Sequence, residues 1–502
     1  MKARWVAALL LATAIAAALL ASRVVSPSFE EIPRVGAARQ LEAVIREVAQ
    51  GGLGALVAPE HRATFLRLTP SLMPLLGGWA NLSFARVGLL DPLTATRLPL
   101  LLVIASGPLG LFLLLRPHLG LRRAALSALL LLALPRFLQG TATTSNAACL
   151  CSLALLFAAC AQQARLGRRR VAWSLAASAT VALGMAHLAS TLWLVLALLA
   201  AHSLREFSWR GSSGYASAPG WLLPTVAAIP IGWIALDPAL WTQGTVGIAK
   251  ALLGHLRLDS DAVWVLGKTY PRPPAGFSAL FWLSTLPLPL WVGALIAAPL
   301  AARQQFASWR EVLRALRAGP AVELLCLFLL GLFSSALPAL LARPSDFVLL
   351  GLPAVCAAFV VGVDHFARRL GRRFAVVMPL LAALTVVPGL VELPTAAAHH
   401  GVILGGTKHV LAARLLPVGD GSELGALAPR FAALGVSPLP MEFPSRVPAD
   451  YFRYLRWSGR TDVEVVPAAV RQGRVQLGFA GQPGDVGSVV RDGAVVWSLT
   501  SR

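Results

Sequence analysis

WVAALLLATAIAAALLAS, residues Trp5 to Ser22, decides how this chain must be read. The run carries no charge, and Lys2 and Arg4 stand immediately before it. It exceeds the roughly 7–15 apolar residues of a secretory signal, so it reads as a retained membrane anchor rather than a cleaved leader. The same signature recurs downstream, at about 94–115, 124–138, 147–163, 171–187, 190–204, 220–236, 277–301, 321–341, 346–363 and 374–391. With the first run this predicts about 11 spans. After residue 392 no run is long enough to cross a bilayer.

Composition agrees. Of 502 residues, 57% are apolar and 13% charged, with a mean hydropathy of +0.69. A soluble domain has about 25% charged residues. A soluble enzyme or a disordered chain is therefore excluded. The five cysteines, Cys149, Cys151, Cys160, Cys326 and Cys356, all fall inside apolar runs and read as small core residues.

The net charge is +21, from 44 basic and 23 acidic residues. In a soluble protein that would suggest nucleic acid. Here its distribution gives another reason. With the N-terminus cytoplasmic and the spans alternating, the inner side receives 19 Lys and Arg but only Glu206, Glu311 and Asp364. Basic residues retain loops on that side, so no nucleic-acid partner is needed.

The same parity sends loops 26–93 and 237–276 and the tail 393–502 outward. In the first loop Leu41, Val44, Ile45 and Val48 share a helical face, with Glu42 and Arg46 spaced i,i+4 on the other. This predicts an amphipathic helix on the membrane. Residues 68–85 are uncharged, but Pro70, Pro74 and Gly77-Gly78 make them a poor span, placed at the interface. In the tail, 463–467, 474–479, 488–491 and 494–498 read as strands, with Asp492-Gly493 as a turn. The predicted fold is thus an all-α polytopic membrane domain, 1–392, followed by a small α+β extracytoplasmic domain, 393–502.

Standard motifs are absent: there is no Walker A loop, no HExxH, no GxSxG and no metal spacing among the nine histidines. Few ionisable residues lie within the spans (Glu323, near an end, is one), which argues against an ion-coupled pump. Asp259-Ser260-Asp261 is a DxD triplet that reads as a solvated loop. Trp79, Trp241, Trp264 and Trp282 fall near predicted outer boundaries and read as an aromatic belt. Glu30 and Glu31 directly follow the first span. A carboxylate there can act as general base on an acceptor hydroxyl, or simply solvate the loop start.

The order of motifs resembles GT-C class membrane glycosyltransferases, in particular the family 39 branch related to protein O-mannosyltransferases. Glu30-Glu31 stands where that family has an acidic pair. Thr69-Pro-Ser-Leu72 is similar to its His-Pro-Pro-Leu, and Asp91–Pro99 to the entry of its second span. Pro135-Arg136-Phe137 matches its Pro-Arg signature. Trp264–Tyr270, Pro273-Pro274, Leu286–Pro289, Gly405-Gly406 and Val490–Val496 are similar to bacterial members.

The resemblance implies inverting transfer of a sugar from a polyprenyl-phosphate donor to a glycan, lipid or protein acceptor. It places the protein in a bacterial inner membrane, without a metal or cofactor. Glu30 or Glu31 would be the base. Arg136, Lys268, Arg272, Arg62, Arg67 and Arg343 are the candidate ligands for the donor phosphate, Arg136 first among them. Tyr270, Asn146 and His187 are candidates for substrate contact. The chain also departs from the family. Thr144–Ala147 lacks a second acid, His187-Leu188 replaces a lysine, Arg343-Pro-Ser-Asp346 replaces an Arg-His pair, and His399-His400-Gly401 precedes Gly405-Gly406. An inactive lipid-sugar-binding protein is therefore the first alternative, and a lipid or glycan transporter the second.

Overall fold

The computed structural model describes residues 2–52, 61, 72–166, 169–188, 190–206, 221–256, 263–265, 268–299, 311, 320–336, 344–370, 410, 422–442, 444, 447–448, 450–459, 461–467, 475–479, 484–491 and 494–501. The first run forms helix α1 (Lys2–Val24). The amphipathic stretch forms α2 (Ile32–Gly51), which Pro33 opens from its first turn. Leu41 and Val44 are buried, and Arg46 lies 3.6 Å from Glu42. α3 (Leu72–Ala80) continues through a π turn to Ala85 and packs on α2. The described residues of this stretch, 72–85, number fourteen, fewer than the roughly 20 that cross a bilayer.

α4 (Pro92–Ala105) begins at Asp91, whose carboxylate accepts the Thr94 N–H at 3.0 Å, an N-cap. α5 (Gly107–Ala133) is broken at Gly120, whose φ of 78° suits glycine. Arg116, Arg122 and Arg123 flank the break. The predicted span 124–138 ends early: Leu134 turns extended, and Pro135 starts a separate short helix, α6 (Pro135–Ala142). α7 (Asn146–Leu166) lies in the centre of the helical core, against α4, α5 and α8 (Arg170–Met185).

Helices α9 (Thr191–Glu206), α10 (Leu222–Leu236) and α11 (Pro238–Leu256) follow. α11 occupies much of the predicted 237–276 loop, which ends in a hairpin of β1 (Val263–Val265) and β2 (Lys268–Tyr270). The predicted single span 277–301 is corrected. It forms α12 (Phe277–Thr285) and α13 (Leu288–Val292), bent by 113° at Leu286-Pro287, where the proline removes a helical donor. α14 (Ala321–Phe333) and α15 (Leu352–Leu370) complete the described helical part.

Among the described residues four helical stretches are long and apolar enough to cross a membrane, or five if the bent pair counts as one. Residues 191–201, 222–236 and 321–336 are apolar but shorter than the spans expected there. The predicted span 374–391 and the triplet Asp259–Asp261 lie outside the described residues, as does residue 393, the predicted domain boundary. The protein is a multi-pass membrane protein.

Trp282 corrects the expected belt. Trp79 and Trp241 are 52% and 43% exposed, whereas Trp282 is buried and donates its indole N–H to the Val348 carbonyl at 2.6 Å. Its ring lies against Gly331 and Gly351, and a Cβ at residue 351 would fall inside it. We expect Gly351→Ala to cost at least the roughly 1–3 kcal/mol of overpacking, seen as a lower thermal unfolding midpoint of the detergent-solubilised protein. The Trp264 side chain lies outside the described set.

The tail forms a sheet in the order β4-β3-β5-β7-β6. Its strands are β3 (Leu439–Glu442), β4 (Val465–Pro467), β5 (Val475–Phe479), β6 (Gly487–Arg491) and β7 (Ala494–Ser501). The alternation predicts four of the five; β3, interrupted by Pro440, escapes it. β3 runs parallel to β4 and β5, and the other pairs are antiparallel. Helices α16 (Ala428–Ala433) and α17 (Tyr451–Trp457) complete the α+β unit.

This unit sits on the turn between α1 and α2. Phe29 meets the edges of Tyr451 and Trp497, with ring centroids 5.4 and 6.1 Å apart. Gly425 packs against Ser26 so closely that a side chain would clash with it. Gln139 of α6 donates to Ser422 Oγ at 2.8 Å.

Candidate functional site

The two glutamates after α1 have different surroundings. Glu31 is buried beside Arg97 of α4, their side chains 2% and 1% exposed. Arg97 Nε and one terminal nitrogen hold both carboxylate oxygens, at 2.6 and 2.8 Å. The remaining Arg97 donors reach the carbonyls of Ser22, Val25 and Ser26 at 2.8–3.0 Å, and Ser22 Oγ. Glu31 also accepts from the Ser28 N–H and from Thr144 Oγ1, each at 3.3 Å. One arginine thus ties the C-terminal end of α1, the turn and the start of α2 into a unit. The planar guanidinium is the side chain suited to this task.

Glu30 is exposed. One of its oxygens accepts the Asn146 N–H at 3.1 Å, an otherwise unsatisfied donor at the N-terminus of α7. Its position also suits the positive end of that helix dipole. Arg34, in the first turn of α2, donates to the Thr144 carbonyl at 2.6 Å. The second terminal nitrogen of Arg34 is buried and has no hydrogen-bond partner.

The α6–α7 turn is clamped from three directions by Glu30, Glu31 and Arg34. Thr144 there adopts φ of 51°, an uncommon conformation for a residue other than glycine. Such strain persists where surrounding contacts over-determine it. A small open pocket beside this clamp is lined by Glu31, Arg34, Thr96, Arg97, Thr144 and Met73.

Two further groups approach. His187, in the turn between α8 and α9, is buried and its Nε2 has no hydrogen-bond partner. Burial, aided by the Arg34 charge, pushes its pKa down to about 3, so the imidazole is neutral. Asp346, buried before α15, accepts from Ser190 Oγ. Arg34, Asp346 and Glu30 all lie within electrostatic reach of Cys149, in the first turn of α7. The turn that lacks an acid in the sequence therefore has Asp346 near it from a distant segment.

The His187 environment gives a pH prediction. The unfolded chain binds the imidazole proton near pH 6.5, the folded protein only near pH 3. Between those values the unfolded state holds more protons, so stability is complete above about pH 6.5 and declines as pH falls. The limiting slope is about 1.4 kcal/mol per pH unit. His187→Gln should flatten that decline in thermal unfolding measured from pH 7 to 4.

The structure thus gathers Glu30, Glu31, Asn146 and His187 around Arg34, Arg97 and Thr144. Arg136 on α6 is half-buried with its guanidinium 5.3 Å from the Phe281 ring centroid. Lys268 and Arg272 are exposed on the β1–β2 hairpin and just after it, and Tyr270 is half-buried there. Among the described residues no hydrogen bond or ion pair joins these three to the glutamates. Arg62, Arg67 and Arg343 lie outside the described residues. Sequence reading missed Arg34, although it stands four residues from Glu30, and it missed Arg97 and Asp346. Among the described residues no three His, Cys, Asp or Glu side chains converge to hold a metal ion.

No family model and no curated protein matches the chain. Its course is similar to that of ArnT from Cupriavidus metallidurans. The apo crystal structure of that protein aligns with 99% of this chain and 98% of its own, at 13% identity and a TM-score of 0.47. The structure of ArnT bound to undecaprenyl phosphate aligns over the same shares, at 15% identity and a TM-score of 0.45. The archaeal oligosaccharyltransferase AglB from Archaeoglobus fulgidus, in complex with an inhibitory peptide and a dolichol-phosphate, aligns with 79% of this chain and 56% of its own. Identity there is 14% and the TM-score 0.39.

Proposed function

We propose that the protein is a glycosyltransferase that moves a sugar from a polyprenyl-phosphate donor to an acceptor hydroxyl. The reading places this reaction at the outer face of a bacterial inner membrane, with a cytoplasmic N-terminus and the tail domain outside. One observation carries it: an exposed carboxylate, Glu30, in the turn after a membrane-spanning helix reaches the same α6–α7 turn as Arg34, a cation with a buried, unpartnered nitrogen.

In this scheme Glu30 takes the proton of the acceptor hydroxyl as its oxygen attacks the anomeric carbon. The bond from that carbon to the phosphate oxygen breaks, and polyprenyl phosphate leaves with the electron pair. Arg34 faces the negative charge that develops there, in surroundings where a fixed cation counts for more than in water. Glu31, with both oxygens held by Arg97, positions the turn and takes no proton. Attack opposite the leaving phosphate inverts the anomeric centre.

The test is release of polyprenyl phosphate by the purified protein from a panel of polyprenyl-phosphate sugars, with water as the fallback acceptor. Release from one donor, lost in Glu30→Gln, supports the reading. No release from any donor, with or without candidate acceptors, favours the inactive lipid-sugar-binding alternative.

A further inference from the structure

A second concave site lies between α2 and the tail domain. It encloses about 640 Å³ and is lined by Arg39 of α2 together with Asp450, Arg453, Arg456, Trp457 and Glu464 of the tail. That volume falls within the range of small-molecule sites. The two walls are fixed to each other, because Gly36 of α2 lies directly beneath the Tyr454 hydroxyl, where any side chain would collide.

The chemistry of the lining is specific. The Arg39 guanidinium lies 5.2 Å from the Trp457 ring centroid, which orients both groups. Arg456 is paired with Glu464 at 2.9 Å. Arg453 is exposed, and among the described residues it has no ion-pair partner. Three guanidinium groups against two carboxylates leave the groove positive, and Arg453 is an exposed cation in it. An indole between arginines stacks on the apolar face of a sugar ring, while a free guanidinium takes a carboxylate or phosphate through two N–H groups. A peptide fits less well: the β4 edge is three residues long and ends at Pro467, which has no N–H to donate.

We propose that this groove binds a negatively charged glycan. Given the transfer reaction proposed above, on which this role rests, that glycan is part of the acceptor. Arg39 lies eight residues beyond Glu31 on α2, about 12 Å along the helix axis. An acceptor held in the groove by its acidic sugar can extend a further sugar or two to Glu30.

The test is calorimetric titration of the full-length protein, in nanodiscs of zwitterionic lipid, with a glucuronic-acid-containing disaccharide and with its neutral glucose counterpart. The acidic disaccharide should bind at least tenfold more tightly than the neutral one. Its affinity should fall at least tenfold in Arg453→Glu, an exposed position that leaves packing intact, and in Trp457→Ala. Absence of binding, equal binding of the neutral sugar, or binding unchanged in both variants overturns the proposal. Adding phosphatidylglycerol to the nanodiscs separates the sources of the anion. Competition assigns the groove to a lipid-borne headgroup, and its absence to a free glycan chain. If the wild type releases no polyprenyl phosphate yet binding still follows these variants, the groove stands and the transfer reaction fails.

Discussion

Glu30→Gln should lower sugar transfer by about 10²–10⁴-fold while leaving the thermal unfolding midpoint within a degree or two of the wild type. The two halves of that expectation come from one environment. Glu30 is exposed, and its described hydrogen bond is accepted from a backbone N–H that the amide oxygen of glutamine can also serve. The change therefore removes the proton acceptor and keeps the shape. Loss should appear in kcat with little change in the KM for the donor, because the group acts on the acceptor's proton and not on the phosphate. Arg34→Gln should also lower kcat, because its charge opposes the negative charge that develops on the leaving phosphate, and should raise the donor KM as well. Equal transfer by Glu30→Gln and wild type would exclude Glu30 as the base.

Arg97→Ala should be the most damaging single substitution for stability. It leaves the Glu31 carboxyl group buried without its partner, and strips the carbonyls of Ser22, Val25 and Ser26 of their donor. Breaking one side of a buried pair costs about 3–5 kcal/mol. Arg97→Lys should rescue little, since an ammonium cannot hold a carboxylate and three carbonyls in one plane. A double change, Arg97→Met with Glu31→Leu, should recover much of the loss, because it removes the unpaired charge along with its partner. Thermal unfolding of the wild type, Arg97→Met, Glu31→Leu and the double variant in one detergent measures the coupling. A double variant as unstable as the sum of the two singles would mean that the pair is not coupled.

Local patterns predicted what local forces determine. The face of α2 follows from apolar spacing at Leu41, Val44 and Val48, and four tail strands follow from alternation. What escaped depends on distant partners. Arg97 sits in an ordinary helical start, and its role comes from Glu31, 66 positions earlier in the chain. Trp282 reads as an interfacial tryptophan until Gly331 and Gly351 supply the space that buries it. Leu286-Pro287 carried a usable signal, since the proline that bends 277–301 was visible in the sequence. The carboxylate pair itself was legible because it directly follows the first apolar run. Its division into one buried and one exposed group was not, because only packing of α4 against α1 decides it.

The seating of Phe29 against Trp497 has a consequence for biosynthesis. Trp497 is made about 470 residues after Phe29, which at about 5–20 residues per second takes on the order of 20–100 s. Throughout that interval the segment next to Glu30 lacks its cover. A strand made late closes over a turn made early, so a chain that terminates before Trp497 leaves that turn bare.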